Sequence, residues 1–216
     1  MCWNQQVSLN TFLFSLFVLL LIAYNNEYTQ YKLPEFNIYM YLFFFSFISM
    51  QLIEFFIWRN INDKSLNKLF SILGLLLISF QPIFSLMMLK NNTLKPILLV
   101  IYSIVASLFF VYKTTHFEII SSVSKNGHLK WEWGHFIKYE IIVVYGLWLL
   151  CLLYAPIVNK QYTVIFYVMI LFILSMYSFY KDGSDGSLWC WLINTIMIYY
   201  AFKLLFWLPF NEHGIC

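Results

Sequence analysis

A chain of 216 residues that is 62% hydrophobic, 22% aromatic and only 11% charged lies far from a soluble domain, where about one residue in four is charged. The net charge of +3 comes from basic residues spread over segments that flank apolar runs. With no basic stripe, a nucleic-acid partner is not expected.

The first ten residues, MCWNQQVSLN, hold no Lys or Arg. The apolar stretch after them ends in LIAYNNEYTQ, without a small-x-small cleavage site, and so reads as a retained span rather than a signal peptide. Spans need roughly 20 apolar residues. The pattern predicts seven, at about 8–24, 37–58, 69–89, 96–112, 139–155, 162–180 and 187–208. Pro34, Arg59, Lys90 and Pro96 mark the clearest ends, and Tyr24, Trp58, Tyr112, Tyr180, Trp189, Trp191 and Trp207 recur near them as interfacial anchors would. The fold class expected is all-α transmembrane: a single seven-helix bundle, residues 1–216, with a surface β-hairpin between helices four and five.

With seven crossings, the side of the N-terminus carries Arg59, Lys64, Lys68, Lys113, Lys125, Lys130, Lys138 and Lys181, and the other carries Lys32, Lys90, Lys95 and Lys160. Eight basic residues against four put the N-terminus in the cytoplasm and the C-terminus outside or in the lumen. The sequon Asn91-Asn92-Thr93 falls on the lumenal side, too close to the membrane for use.

The one long loop is HFEIISSVSKNGHLKWEWGH, 116–135. Asn126-Gly127 is a hairpin signal, because both residues tolerate positive φ. After it His128, Lys130 and Glu132 alternate with Leu129, Trp131 and Trp133, the period of a strand. A hairpin over about 117–133 is expected, lying on the membrane surface with its tryptophans toward the headgroups. The helical alternative would align His128, Glu132 and His135 as a metal face. Gly134 and the Asn-Gly turn weigh against it.

Glu54 lies within the second span, with Gln51 at i−3 and Trp58 at i+4 on its face. An acid in a span is costly and by default a functional candidate. The bland alternative is a snorkelling side chain paired with Arg59 or a nearby lysine, to which a glutamate's short stem is poorly suited. Cys2, Asn4, His116, His128, His135, Glu140, Trp189, Cys190 and Asn194 all fall at the same membrane side as Glu54. A ligand pocket of Cys2, Gln51, Glu54, Trp58, Cys190, Trp191 and Asn194 is therefore expected in that leaflet. His116, His128 and His135 are the candidate metal ligands. The four cysteines (Cys2, Cys151, Cys190, Cys216) show no CxxC spacing, so no disulfide framework or zinc knuckle is implied. Gln81-Pro82 in the third span should free a backbone carbonyl for other spans to satisfy. Lys203 stands where retinal proteins carry their Schiff-base lysine, but it is close enough to the span end to snorkel, and the third span has no acidic counter-ion. Retinal is therefore disfavoured as a cofactor.

Four short motifs resemble a family of uncharacterised multi-pass membrane proteins of large DNA viruses, protists and some bacteria. They are Met1-Cys2-Trp3, Gln51-x-x-Glu54-x-x-x-Trp58, Gln81-Pro82 and Leu188-Trp189-Cys190-Trp191. The family usually has serine where this chain has Asn4. The resemblance implies no activity, but it groups Cys2, Gln51, Glu54, Trp58 and Trp191. Small-ligand or lipid binding or transport through a pocket centred on Glu54 is the leading expectation. The alternatives are a membrane enzyme on lipid headgroups, using Glu54 and the histidines with or without a metal, and a structural membrane protein of a virion or its precursor membrane. The bilayer is the expected partner, and homo-oligomers are compatible with this class.

Overall fold

The computed structural model of the chain describes residues 4–90, 93–134 and 138–212. Four helices come first: α1 (Gln5–Tyr28), α2 (Ile38–Arg59), α3 (Lys64–Met87) and α4 (Leu94–His116). The side chains of Asn4, Asn37 and Asp63 open the first three by accepting hydrogen bonds from backbone N–H groups of the first turn. A serine at position 4 would cap α1 in the same way, which gives that position a local structural role.

A two-stranded antiparallel hairpin follows, β1 (Ser121–Val123) and β2 (Leu129–Trp131), with Ser121 opposite Trp131 and Val123 opposite Leu129. Gly127 takes φ 79° in the turn, as the Asn-Gly signal requires. Because Leu129–Trp131 form β2, no helix runs from His128 to Glu132; Glu132 instead opens a short 3-10 turn, Glu132–Gly134. Then come α5 (Lys138–Val158), α6 (Tyr162–Phe179), α7 (Asp185–Ile193), α8 (Ile196–Phe202), a π-helical stretch Lys203–Trp207 and α9 (Leu208–Glu212).

Six segments among the described residues are long and apolar enough to cross a membrane: Gln5–Tyr28, Ile38–Arg59, Lys64–Met87, Leu94–His116, Tyr162–Asp182 and Asp185–Asn211. The apolar stretch described in α5, Val144–Val158, is shorter. Among the described residues, length and composition thus support six of the seven expected spans.

The last of these segments is broken, where an uninterrupted span was expected. At Asn194-Thr195 the backbone bonds shorten to i−3. The Asn194 amide donates to Cys190 O and the Thr195 hydroxyl to Leu192 O, so side chains compete with the helix for its carbonyls. Lys203 does not snorkel alone, either. Its Nζ lies 3.0 Å from Glu35 Oε1, which ties the end of this segment to the α1–α2 connection.

Two prolines stitch α3 to α5. Pro82 has no N–H for the Ile78 carbonyl four residues back, and the Trp148 indole of α5 donates to that carbonyl at 2.8 Å. Pro156 in α5 likewise frees Leu152 O, and the Ser85 hydroxyl of α3 donates to it at 2.5 Å. On α4, the Tyr102 hydroxyl donates to Ser79 O at 2.8 Å, one residue along the same kinked turn.

Trp148→Phe removes the indole donor and should cost about 1–2 kcal/mol while Pro82 is present. Pro82→Ala restores an N–H for Ile78 O and should reduce that cost. A double-mutant cycle of unfolding in mixed detergent reads the coupling. Strictly additive effects would mean that the indole does not compensate the proline.

Candidate functional site

The hairpin is held against α3 by side chains. Asn67 near the start of α3 donates to Ser121 O and accepts from Ser121 N, both at 2.9 Å, as a neighbouring strand would. Ser71 adds bonds to Asn67 Oδ1 and to Ser121 Oγ. At the turn, Asn126 donates to Asp182 beyond α6.

So anchored, the hairpin points its tryptophans inward, against the expectation that they face headgroups. Trp131 and Trp133 are 5% and 4% exposed and stack with centroids 4.8 Å apart and planes 9° apart. Trp131 ends β2 and Trp133 follows in the 3-10 turn Glu132–Gly134, and a glycine makes room for Trp131. A Cβ on Gly186 of α7 would lie 2.9 Å from the Trp131 ring. The reason for the reversal is that this face has a helical surface to bury against, and burial there removes more apolar area from water than an interface does.

His128, expected on the polar face, is also buried, edge-on to Phe179 at 5.4 Å. Its burial pulls the imidazole pKa below the usual histidine value, with Asp182 opposing the shift. His116 sits at the exposed end of α4, stacked on Tyr112 and bonded to Thr115 and to Tyr112 O. His135 lies outside the described residues. Among the described residues no three His, Cys, Asp or Glu side chains form a group able to hold a metal.

The residues around Glu54 are partly brought together. Glu54 is 2% and Gln51 0% exposed, and Gln51 Nε2 donates to Glu54 Oε2 at 3.0 Å. The Ser187 hydroxyl of α7 is within hydrogen-bonding reach of the carboxyl, and the buried Cys190 shares the seam. The described ion pairs do not include Glu54, and Arg59 is exposed. Snorkelling to Arg59 is therefore excluded. The other side-chain oxygens of Gln51 and Glu54 are buried without a partner.

Asn194 stands one turn beyond Cys190, bonded back to its carbonyl. Trp191 turns away and donates to Thr11 of α1 at 3.0 Å. Trp58 is half-buried against the core. Cys2 lies outside the described residues.

The large cavity lies elsewhere. It encloses about 270 Å³ between α3, α4, α5, α6, α7 and the hairpin. Leu75, Ile78 and Ser79 form one wall, Tyr102, Val105, Ala106 and Phe109 another, and Tyr145, Trp148 and Phe172 a third. Trp131, Trp133 and Trp189 close its hairpin end, with Gly186 and Asp185. Trp189 meets Trp148 edge-on at 5.1 Å and Phe47 at 5.6 Å. None of the residues expected to form the pocket lines this cavity. Helix α7 separates the two, with Ser187 and Cys190 toward Glu54 and Gly186 and Trp189 toward the cavity. The Gln81-Pro82 signal came nearest to finding it, since Trp148 and Tyr102, which bond to the kinked turn, are wall residues.

No family model, no curated protein and no solved structure matches the chain.

Gly186→Ala should displace Trp131 and loosen the hairpin at a cost of about 1–3 kcal/mol. Faster proteolysis near Asn126-Gly127 and red-shifted tryptophan emission would report it. The lowered pKa of His128 means that the undocked hairpin binds more protons than the docked one. Docking should therefore be full above the ordinary histidine value of about 6.5 and weaken as the pH falls below it. Hydrogen exchange of β1 and β2 across that range checks this, and His128→Gln should flatten the dependence.

Proposed function

We propose that this chain is a seven-span membrane protein that binds the hydrocarbon part of a membrane amphiphile in the leaflet on the side of its N-terminus. The observation that carries the reading is the aromatic cavity of about 270 Å³, just below the usual range of ligand pockets, roughly 300–1,000 Å³. Its position supports access from the bilayer. Among the described residues α4 packs closely on α3 alone, and α5 packs on α3 and α6. The cavity thus has lining residues on both α4 and α5 without a tight seam between those helices.

The basic-residue bias supports a cytoplasmic N-terminus and places the hairpin and the cavity mouth in the cytoplasmic leaflet. On this reading the binding site is the cavity, and Glu54 belongs to the adjoining wall. There, with Gln51 and Ser187, it holds α2 against α7. That pairing inside the bundle is also what a structural role for Glu54 expects. The family resemblance of the Gln51, Glu54 and Trp58 motif remains part of this proposal.

Ala106, buried on the cavity wall, offers the direct test. Native mass spectrometry of the purified protein should detect a retained lipid in the unmodified chain and none in Ala106→Phe, which fills the cavity. Leu108→Phe, on an exposed face of α4, should retain it. Equal retention by all three proteins would sink the reading, and the same spectra count the copies in any oligomer.

A further inference from the structure

We infer that the ligand of this cavity carries a positively charged amine, a quaternary ammonium or a protonated long-chain amine, seated beside Asp185. The inference rests on reading the cavity as a ligand site and adds the chemistry of the head that enters it. Two independent features of the wall point the same way.

The first is charge. Among the described lining residues Asp185 is the only carboxylate, and none is Lys, Arg or His. It is 9% exposed, and the described ion pairs do not include it. Asp185 stands in the first turn of α7, where the helix dipole favours an acid. That explains why an acid is tolerated there, but it supplies no counter-ion. A phosphate or carboxylate head would meet this acid with nothing basic among the described wall residues to offset the repulsion, so an anionic head is disfavoured.

The second feature is the aromatic wall. The faces and edges of Trp131, Trp148, Trp189, Tyr145 and Phe172 bound the same space as Asp185. Trp148 and Phe172 both meet Trp189 nearly at right angles, at 77° and 85°. These five aromatic side chains thus line the space that Asp185 also lines. An aromatic lining attracts a cation through its ring faces and does so most strongly for an ammonium that sheds little hydration, as a quaternary one does. An apolar tail would then follow Val105, Ala106 and Leu75 toward the middle of the bilayer.

The experiment compares two probes of equal chain length, a dodecyltrimethylammonium ion and dodecanoate, titrated below their micellar concentrations into protein held in a neutral maltoside detergent. Binding is counted by native mass spectrometry, with folding monitored by thermal unfolding. The ammonium should bind about tenfold or more tightly than the carboxylate. Asp185→Asn should abolish that preference, Asp185→Glu should keep most of it, and Ala106→Phe should bind neither probe. The preference in the unmodified chain decides the matter even if Asp185→Asn fails to fold. Equal binding of both probes, lost in Ala106→Phe, would overturn the amine inference and leave the cavity as an apolar site. Binding of neither probe, or binding indifferent to Ala106→Phe, would overturn both.

Discussion

The pairing of α3 with α5 through two prolines is the constraint on which the rest of the bundle depends. Inside a membrane a carbonyl left without its helical N–H has no water to turn to. Pro82 and Pro156 each create such a carbonyl, and each is met by a donor from the other helix, Trp148 for Ile78 and Ser85 for Leu152. Interhelical hydrogen bonds of this kind contribute about 0.6 kcal/mol each, so they set register more than they drive association. Register matters here because Trp148 and Tyr102, both bonded to the turn that Pro82 opens, also wall the cavity. The kink and the cavity are therefore one feature. The turn that cannot close on itself draws two large aromatic side chains to it, and the space they leave is the cavity.

The hairpin closes that space from the end. Its backbone is matched by the Asn67 side chain, and Trp131 needs the missing side chain of Gly186. A surface hairpin free to lie on lipid would need none of this. Helix α7 then divides the interior, with the Glu54 seam on one face and the cavity on the next. The polar groups of the seam occupy close-packed surroundings, whereas the cavity is almost wholly aromatic and aliphatic. This explains why intramembrane polarity, the usual guide to a site, points here to the neighbour of the cavity and not to the cavity itself.

Helices, hairpin turn and the proline's need for an outside donor were legible because each depends on local chemistry. An apolar run of sufficient length, Asn-Gly at a turn and a missing N–H act over a few residues. The pairing of Gln51 with Glu54 was legible for the same reason, since i and i+3 share a helix face. The break at Asn194-Thr195 was written in two residues that compete for helix carbonyls, but their effect depends on Cys190 and Leu192 offering those carbonyls. The ion pair of Lys203 with Glu35 spans 168 residues, and no pattern along the chain announces it.

By itself the sequence determined that this chain would be helical and apolar, that one loop would turn back as a hairpin, and that Glu54 would share its face with Gln51. These follow from hydropathy, backbone preference and helical period, which are properties of neighbours. Only the tertiary structure decided which way the tryptophans of the hairpin face, which helix satisfies each proline, and where unfilled space remains. The alternating pattern predicts Trp131 and Trp133 on one side but cannot say what that side meets. A cavity is the residue of imperfect packing among six elements, and its shape belongs to no one of them.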